Sequence, residues 1–482
     1  MLAALAGPTV PAAAQELKPC RLKGVVNEAF CGVVSRPLDP QRPDGRRIEV
    51  HYAVLPALAR HKLPDPVFFF AGGPGQSAVE LAGPIAAQLA RFANRRDIVL
   101  IDQRGTGRSA PLSCGEKDEP MRPLAETVNA QAQVQRLLSC AQRLGQLPHG
   151  DLRHYTTTVA MADADAVRQA LGAPRVNLIG VSYGTRAALE YQRLFPSAVR
   201  RVVLDGVAPA DMVLPLSFSP DNQAALNGWL HWCAQDKACR QRHPALGEQW
   251  ATLLASLPRE VVMAHPLTGR QERVMLTRDA LLGMVRTALY APAFAAALPQ
   301  AIADAADGRF DAMTGLASAL SSTTMQLYAG MHFSVVCAED EPRRSRGADP
   351  PGADFGTAFE RLYEQVCAGW PRGAVDAAFY STPPTRVATL LLSGGDDPAT
   401  PPRHAARVAA TLGPKARHVV VAHAGHGVAA LPCLREAVYR FVDAASDDAA
   451  LGLALDCAGQ VPRPPLFVPV AGPASAPSGS TR

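Results

Sequence analysis

A chain of 482 residues, 48% apolar and 19% charged, can build one large domain with an insertion, or two domains, and is not a disordered protein. Its net charge of +5 is spread without a long Lys/Arg block, which argues against a nucleic-acid groove. No apolar run approaches the roughly 20 residues of a spanning helix, so stable membrane insertion is not expected.

Residues 1–15 are small and apolar, and Ala12-Ala13-Ala14 before Gln15 has the form of a signal-peptidase site. The basic segment that normally opens such a leader is missing, and Pro8 and Pro11 interrupt the run. The expectation is a truncated signal peptide over residues 1–14. Short apolar strands then alternate with helical stretches. Val67-Phe68-Phe69-Phe70 stops at Gly72-Gly73-Pro74-Gly75, and Ile98-Val99-Leu100-Ile101 ends at Asp102-Gln103-Arg104-Gly105. Val176-Asn177-Leu178-Ile179 enters the Gly180 turn, and Val202-Val203-Leu204 ends at Asp205-Gly206. Two more follow much later, Ala388 to Leu392 before Ser393-Gly394-Gly395 and Val419 to Val421 before Ala424-Gly425-His426-Gly427. Continuous apolar runs suit strands buried on both faces, as in a mostly parallel sheet covered by helices. In such sheets ligands bind at the carboxyl ends of the strands.

Residues 210–384 read differently, with few β runs, many helical stretches and all four tryptophans, Trp229, Trp232, Trp250 and Trp370. They predict a mainly helical cap inserted into a core formed by residues 15–209 and 385–461. Residues 462–482, rich in Pro, Ser, Gly and Ala, predict a disordered tail. The ten cysteines fall into neighbouring pairs: Cys20/Cys31, Cys114/Cys140, Cys233/Cys239, Cys337/Cys367 and Cys433/Cys457. No Cys-x-x-Cys motif supports a zinc site. Local disulfides in an oxidising compartment account for the number and grouping, although the sequence leaves connectivity open. With the signal-like start they predict an exported protein, periplasmic or secreted.

Gly180-Val181-Ser182-Tyr183-Gly184 has the form of a nucleophile elbow, between an apolar strand and a helical stretch from Thr185 to Phe195. This predicts an α/β fold of the α/β-hydrolase type, with Ser182 as nucleophile. A serine needs a base, and the base needs an orienting carboxylate, in chain order Ser, acid, His for this fold. His426, flanked by Gly425 and Gly427, is the expected base, with His423 its rival. Asp396 and Asp397 both follow a strand, and Asp397 is preferred because it leads Asp397-Pro398-Ala399-Thr400-Pro401. Oxyanion donors are expected from the Gly72-Gly73 backbone and from the N–H of Tyr183. This chemistry requires no metal or organic cofactor.

Gly72-Gly73-Pro74-Gly75-Gln76-Ser77, Asp102-Gln103-Arg104-Gly105-Thr106-Gly107-Arg108-Ser109 and the Ser182 elbow together resemble the prolyl iminopeptidase and tripeptidyl aminopeptidase family. Asp397-Pro-x-Thr-Pro and Gly-His426-Gly also match its pattern, and the resemblance runs from about Cys20 to Cys457. Ala71 stands where prolyl iminopeptidases carry His. The paired cysteines and large cap look more like the secreted tripeptidyl aminopeptidase branch. The resemblance implies a serine exopeptidase acting on peptide substrates with free N-termini. It also implies cap carboxylates that hold the substrate amine, for which Glu339 and then Asp340 are the candidates, unless Cys337-Ala338-Glu339-Asp340-Glu341 is an exposed acidic loop paired with Arg343. Asp102 and Arg104 are expected to shape the loop behind the oxyanion glycines. Two alternatives stay open: a carboxylesterase or other small-substrate hydrolase, and a non-catalytic binding protein on the same scaffold.

Overall fold

The computed structural model describes residues 17–116, 118–321, 327–346 and 349–469. Among these residues eleven strands form: β1 (Lys18–Cys20), β2 (Ala29–Pro37), β3 (Arg47–Leu55), β4 (Val67–Phe70), β5 (Ile98–Ile101), β6 (Val176–Val181), β7 (Val199–Asp205), β8 (Arg259–Ala264), β9 (Gln271–Leu276), β10 (Thr389–Gly394) and β11 (Ala416–Val421). Nine of them make one sheet in the order β1-β2-β3-β5-β4-β6-β7-β10-β11. The pairings from β1 to β5 through β2 and β3 are antiparallel, and all those from β5 to β11 are parallel. The six strands expected from their apolar runs are all present. The extra β3 carries a period-two signal: Ile48, Val50 and Tyr52 are buried while Arg47 and Glu49 are exposed.

Why β4 reads as an unbroken apolar run is plain from its two faces. Phe68 and Phe70 pack into one core with Val99, Ile101, Leu178 and Leu204. Val67 and Phe69 pack into the opposite core with Ile98, Leu100, Ile179 and Val203. Helices Ala130–Leu144, Thr157–Ala170, Tyr183–Leu194 and Pro402–Leu412 cover the first face, and Ala82–Gln88 and Pro432–Asp443 the second.

The insertion after β7 differs from expectation in three ways. It contains a β-hairpin, β8–β9, within its own apolar cluster of Trp229, Trp250, Leu253, Val274 and Leu282. That cluster also recruits Leu124, far upstream in sequence. The last part of the insertion belongs to the main core instead: Phe333, Val366 and Trp370 pack with Leu144 and Tyr155. Part of the predicted tail also packs on the rest of the molecule. Phe467 N–H bonds to Ala296 O, and Leu466 packs on the cap cluster; residues 470–482, like the predicted leader 1–14, lie outside the described residues.

Five disulfides join Cys20–Cys31, Cys114–Cys140, Cys233–Cys239, Cys337–Cys367 and Cys433–Cys457. No helix among the described residues is long and apolar enough to cross a membrane.

Candidate active site

The site forms where β4, β6, β7, β10 and β11 end. Ser182 follows β6 with φ +57° and ψ −126°, a region that a non-glycine residue occupies only when its surroundings hold it there. Two close approaches hold the turn. A Cβ at Gly180 would lie 2.3 Å from Gly184 O, and one at Gly184 would lie 2.0 Å from Phe70 O. The Ser182 N–H donates to Asp205 O at 2.8 Å, tying the elbow to the end of β7. The Ser182 side chain makes no capping bond to its own helix.

His426 sits against the same strand end. A Cβ on Gly206 would meet the His426 ring at 3.2 Å. The Asp205 carboxylate accepts from Val428 and Ala429 N–H at 2.9 and 2.8 Å, fixing the loop just past His426. On the cap side, His426 N–H donates to Tyr290 O at 2.9 Å, and the Tyr290 ring meets the imidazole edge-on with centroids 5.2 Å apart.

Of the two adjacent aspartates, Asp397 reaches the imidazole. Its Oδ2 lies 2.9 Å from His426 Nδ1 and accepts from the Thr400 hydroxyl at 2.8 Å. Oδ1 accepts from the Ala399 and Thr400 N–H groups at 2.8 and 2.9 Å. Burial alone would push this carboxyl upward. The His426 charge and these hydrogen bonds overcome it, so Asp397 is held below its ordinary value. Burial likewise disfavours a charged His426, but the Asp397 charge and hydrogen bond, with Asp205 behind them, hold the imidazole above its ordinary value. Asp396 turns elsewhere: Arg463 pairs with it at 2.9 Å and also reaches His423 Nδ1 at 3.2 Å. Both rivals therefore belong to one arginine cluster, and Arg463 also lies over the cap's Trp229 ring at 4.8 Å.

The Gly72–Gly75 loop follows β4 directly. A Cβ at Gly72 would sit 3.1 Å from Ser182 Cβ, and Gly73 has φ +111°. Tyr183 opens helix Tyr183–Leu194, so its N–H has no acceptor within the helix. The loop is braced from two sides. Asp102 accepts from the Ser77 hydroxyl at 2.5 Å and from Val79 and Arg108 N–H, while burial pushes its carboxyl up to about 6 against those bonds. Arg104 instead pairs with Asp163 and caps the carbonyls of Pro37, Leu38 and His154. From the insertion, Tyr328 N–H donates to Gly75 O, and His332 Nδ1 lies 3.0 Å from Pro74 O. Tyr363 OH holds the other ring nitrogen at 2.8 Å. Burial pushes His332 down to about 4, which leaves a neutral ring donating to Pro74.

Glu339 and Asp340 are a correction. They form neither an exposed acidic loop paired with Arg343 nor a free amine clamp. Both are 1% exposed and face Arg186, on the helix after Ser182. Asp340 takes the guanidinium through both oxygens, at 3.0 and 3.1 Å, and accepts from Leu214 N–H. Glu339 binds the Thr157 N–H and hydroxyl at 2.6 and 2.9 Å and lies 3.4 Å from Arg186. Thr157 in turn bonds the Tyr183 hydroxyl at 2.8 Å. Carboxylates committed and buried in this way brace the nucleophile helix from behind and are closed off from a ligand amine.

Thr400, Tyr290, His332 and Tyr363 were not legible as site residues. His332 lies in the apolar run Met331–Val336 and reads as a lone core histidine, and Tyr290 acts through its ring and its backbone carbonyl.

Three known proteins align with most of this chain. A tripeptidyl aminopeptidase of Streptomyces coelicolor is 27% identical over 87% of this chain and 82% of its own length. The serine protease Hip1 of Mycobacterium tuberculosis is 27% identical, covering 80% of each chain. A carboxylesterase B of Mycobacterium tuberculosis is 28% identical over 80% of this chain and 79% of its own. The pattern of the α/β hydrolase fold matches residues 65–429, well over half of the sequence. With its sheet order and strained Ser182 turn, this chain belongs to the α/β-hydrolase fold family.

Proposed function

We propose that the protein is a serine peptidase that hydrolyses peptide bonds near free N-termini through an acyl-enzyme. The reading is carried chiefly by the Asp397–His426 contact beside the strained Ser182 turn. The peptidase names of relatives that align over most of the chain support it.

In this mechanism Ser182 Oγ attacks the scissile carbonyl as His426 Nε2 takes its proton. Asp397, fixed by Thr400 and Ala399, keeps the proton on Nδ1 and stabilises the imidazolium. The N–H groups of Gly73 and Tyr183 receive the oxyanion, with Gly72 kept side-chain-free against Ser182. His426 protonates the leaving amine, and water then cleaves the acyl-enzyme by the same proton route. The five disulfides support an oxidising, extracytoplasmic setting.

A second reading, a carboxylesterase, is favoured by one observation: the acidic pair expected to hold the substrate amine is buried and engaged internally by Arg186. Matched peptide anilides with free and acetylated N-termini separate the two. Preference for the free amine supports the exopeptidase. Equal turnover of both removes the N-terminal requirement, and turnover of esters alone selects the second reading.

A further inference from the structure

Arg286, on helix Arg278–Leu289 of the cap, sits at the centre of an aromatic arc that runs from the base to the glycine loop. Its guanidinium carbon lies 4.6 Å from the Phe218 ring centre and 5.3 Å from those of Tyr290 and Phe359. Tyr290 meets His426 edge-on. Phe218 continues through Tyr363 to His332, which bonds the Pro74 carbonyl. The cation therefore stands between the group expected to move protons and the loop expected to hold the oxyanion.

What is unusual is its lack of a counter-charge. No carboxylate among the described residues pairs with Arg286. Among the described residues its one hydrogen bond goes to the Tyr290 hydroxyl at 2.8 Å, and its buried Nε meets no acceptor there. Aromatic faces attract a cation but fill none of the in-plane N–H donors. A part-buried guanidinium short of acceptors is costly unless an anion completes it. The planar fork suits a carboxylate, which accepts two parallel N–H bonds.

We propose that Arg286 is a specificity residue that binds a carboxylate of the substrate, selecting short peptides with a negative charge close to the scissile bond. The inference rests on the serine-hydrolase reading above and narrows its substrate class. Two sources share this chemistry: the free C-terminus of a short peptide, and an acidic side chain flanking the cleaved bond.

The test compares matched substrates in the wild type, Arg286→Gln and Arg286→Lys, with competent enzyme counted by fluorophosphonate titration. One pair is a short peptide and its C-terminal amide. A second differs only by Glu against Gln beside the scissile bond. The third, mono-p-nitrophenyl succinate and its neutral methyl ester, carries the carboxylate without a peptide bond. The readout is the ratio of kcat/KM within each pair, which cancels any loss of folded enzyme. The wild type is expected to favour the charged member by roughly 10- to 100-fold. The ratio falls to near one in Arg286→Gln and to an intermediate value in Arg286→Lys. Collapse in the first pair assigns the C-terminus, and in the second an acidic side chain. Collapse in the succinate pair with no peptide cleaved upholds Arg286 while ending the peptidase reading. Parity in all three wild-type pairs, or a preference that survives in Arg286→Gln, overturns the proposal.

Discussion

Arg186 belongs to the core helix that follows Ser182, and Arg286 to the cap helix that lies against His426. Each has a buried Nε without an acceptor, yet their charges are treated oppositely. Arg186 is met by two carboxylates and by the carbonyls of Pro209 and Met212. Arg286 is met by aromatic rings and one hydroxyl. The core side of the site thus holds its charges by internal partners, an ion pair for Arg186 and hydrogen bonds for Asp205 and Asp102, and spends them on geometry. The cap side keeps a charge available. Damage to the core side should therefore appear in kcat or stability, and damage to the cap side in selectivity.

The largest test of the core side is the reaction itself. Ser182→Ala is expected to lower kcat by about 10⁴- to 10⁶-fold and to abolish fluorophosphonate labelling, with the fold intact by circular dichroism. Asp397→Asn should cost about 10⁴-fold, because the imidazole loses the partner that sets its tautomer. Asp396→Asn, which only loosens the largely buried Arg463 contact, should change stability by about 1–3 kcal/mol and leave kcat near wild type. Equal losses in the two aspartate variants would break the assignment. The pH profile sharpens it. His426 must be unprotonated to act as base and is held above its ordinary value, so kcat/KM should fall as pH drops through a midpoint above about 6.5.

Removing the paired arginine comes next. Arg186→Met leaves two buried carboxylates facing each other and should cost about 3–5 kcal/mol in denaturant unfolding. Arg286→Gln loses ring contacts and the bond to the Tyr290 hydroxyl and should cost about 1–2 kcal/mol. Similar losses would show that the two arginines play the same structural part.

His332 gives a smaller, pH-dependent effect. Its folded value, about 4, lies below the unfolded value of about 6.5. Between those pH values the unfolded chain takes up the proton and the folded one does not. Stability from this group is therefore whole above about 6.5 and declines as pH falls towards 4, by on the order of 3 kcal/mol. His332→Gln should flatten that part of the stability–pH curve relative to wild type, as read by Tm across the range.

How much of this was legible follows from the range of each interaction. Ser182, the Asp397 turn and the Gly425–Gly427 loop are local: each is written in a few consecutive residues where a strand ends. Asp102 was legible as a brace because its run follows a strand next to the glycine loop. Neighbouring cysteines pair because short chain separations keep them close. Other features depend on partners far apart in sequence. Glu339 and Asp340 read locally as free cap acids because Arg186, which pairs with both, lies more than 150 residues away. Residues 462–469 read as tail because Pro and small residues hide one arginine reaching Asp396 and two cap tryptophans.

The sequence by itself determined the α/β-hydrolase architecture, the elbow and the order of acid and base. Those rest on backbone sterics and on apolar runs that must be buried on both faces. Only the tertiary structure decided which charges are spent and which remain, because a charge's fate depends on what packs against it. Arg186 and Arg286 have the same side chain, and neither has an acidic residue within three positions that would mark it as paired or unpaired. Burial beside Asp340 makes one a brace, and burial among Phe218, Tyr290 and Phe359 leaves the other without a counter-charge.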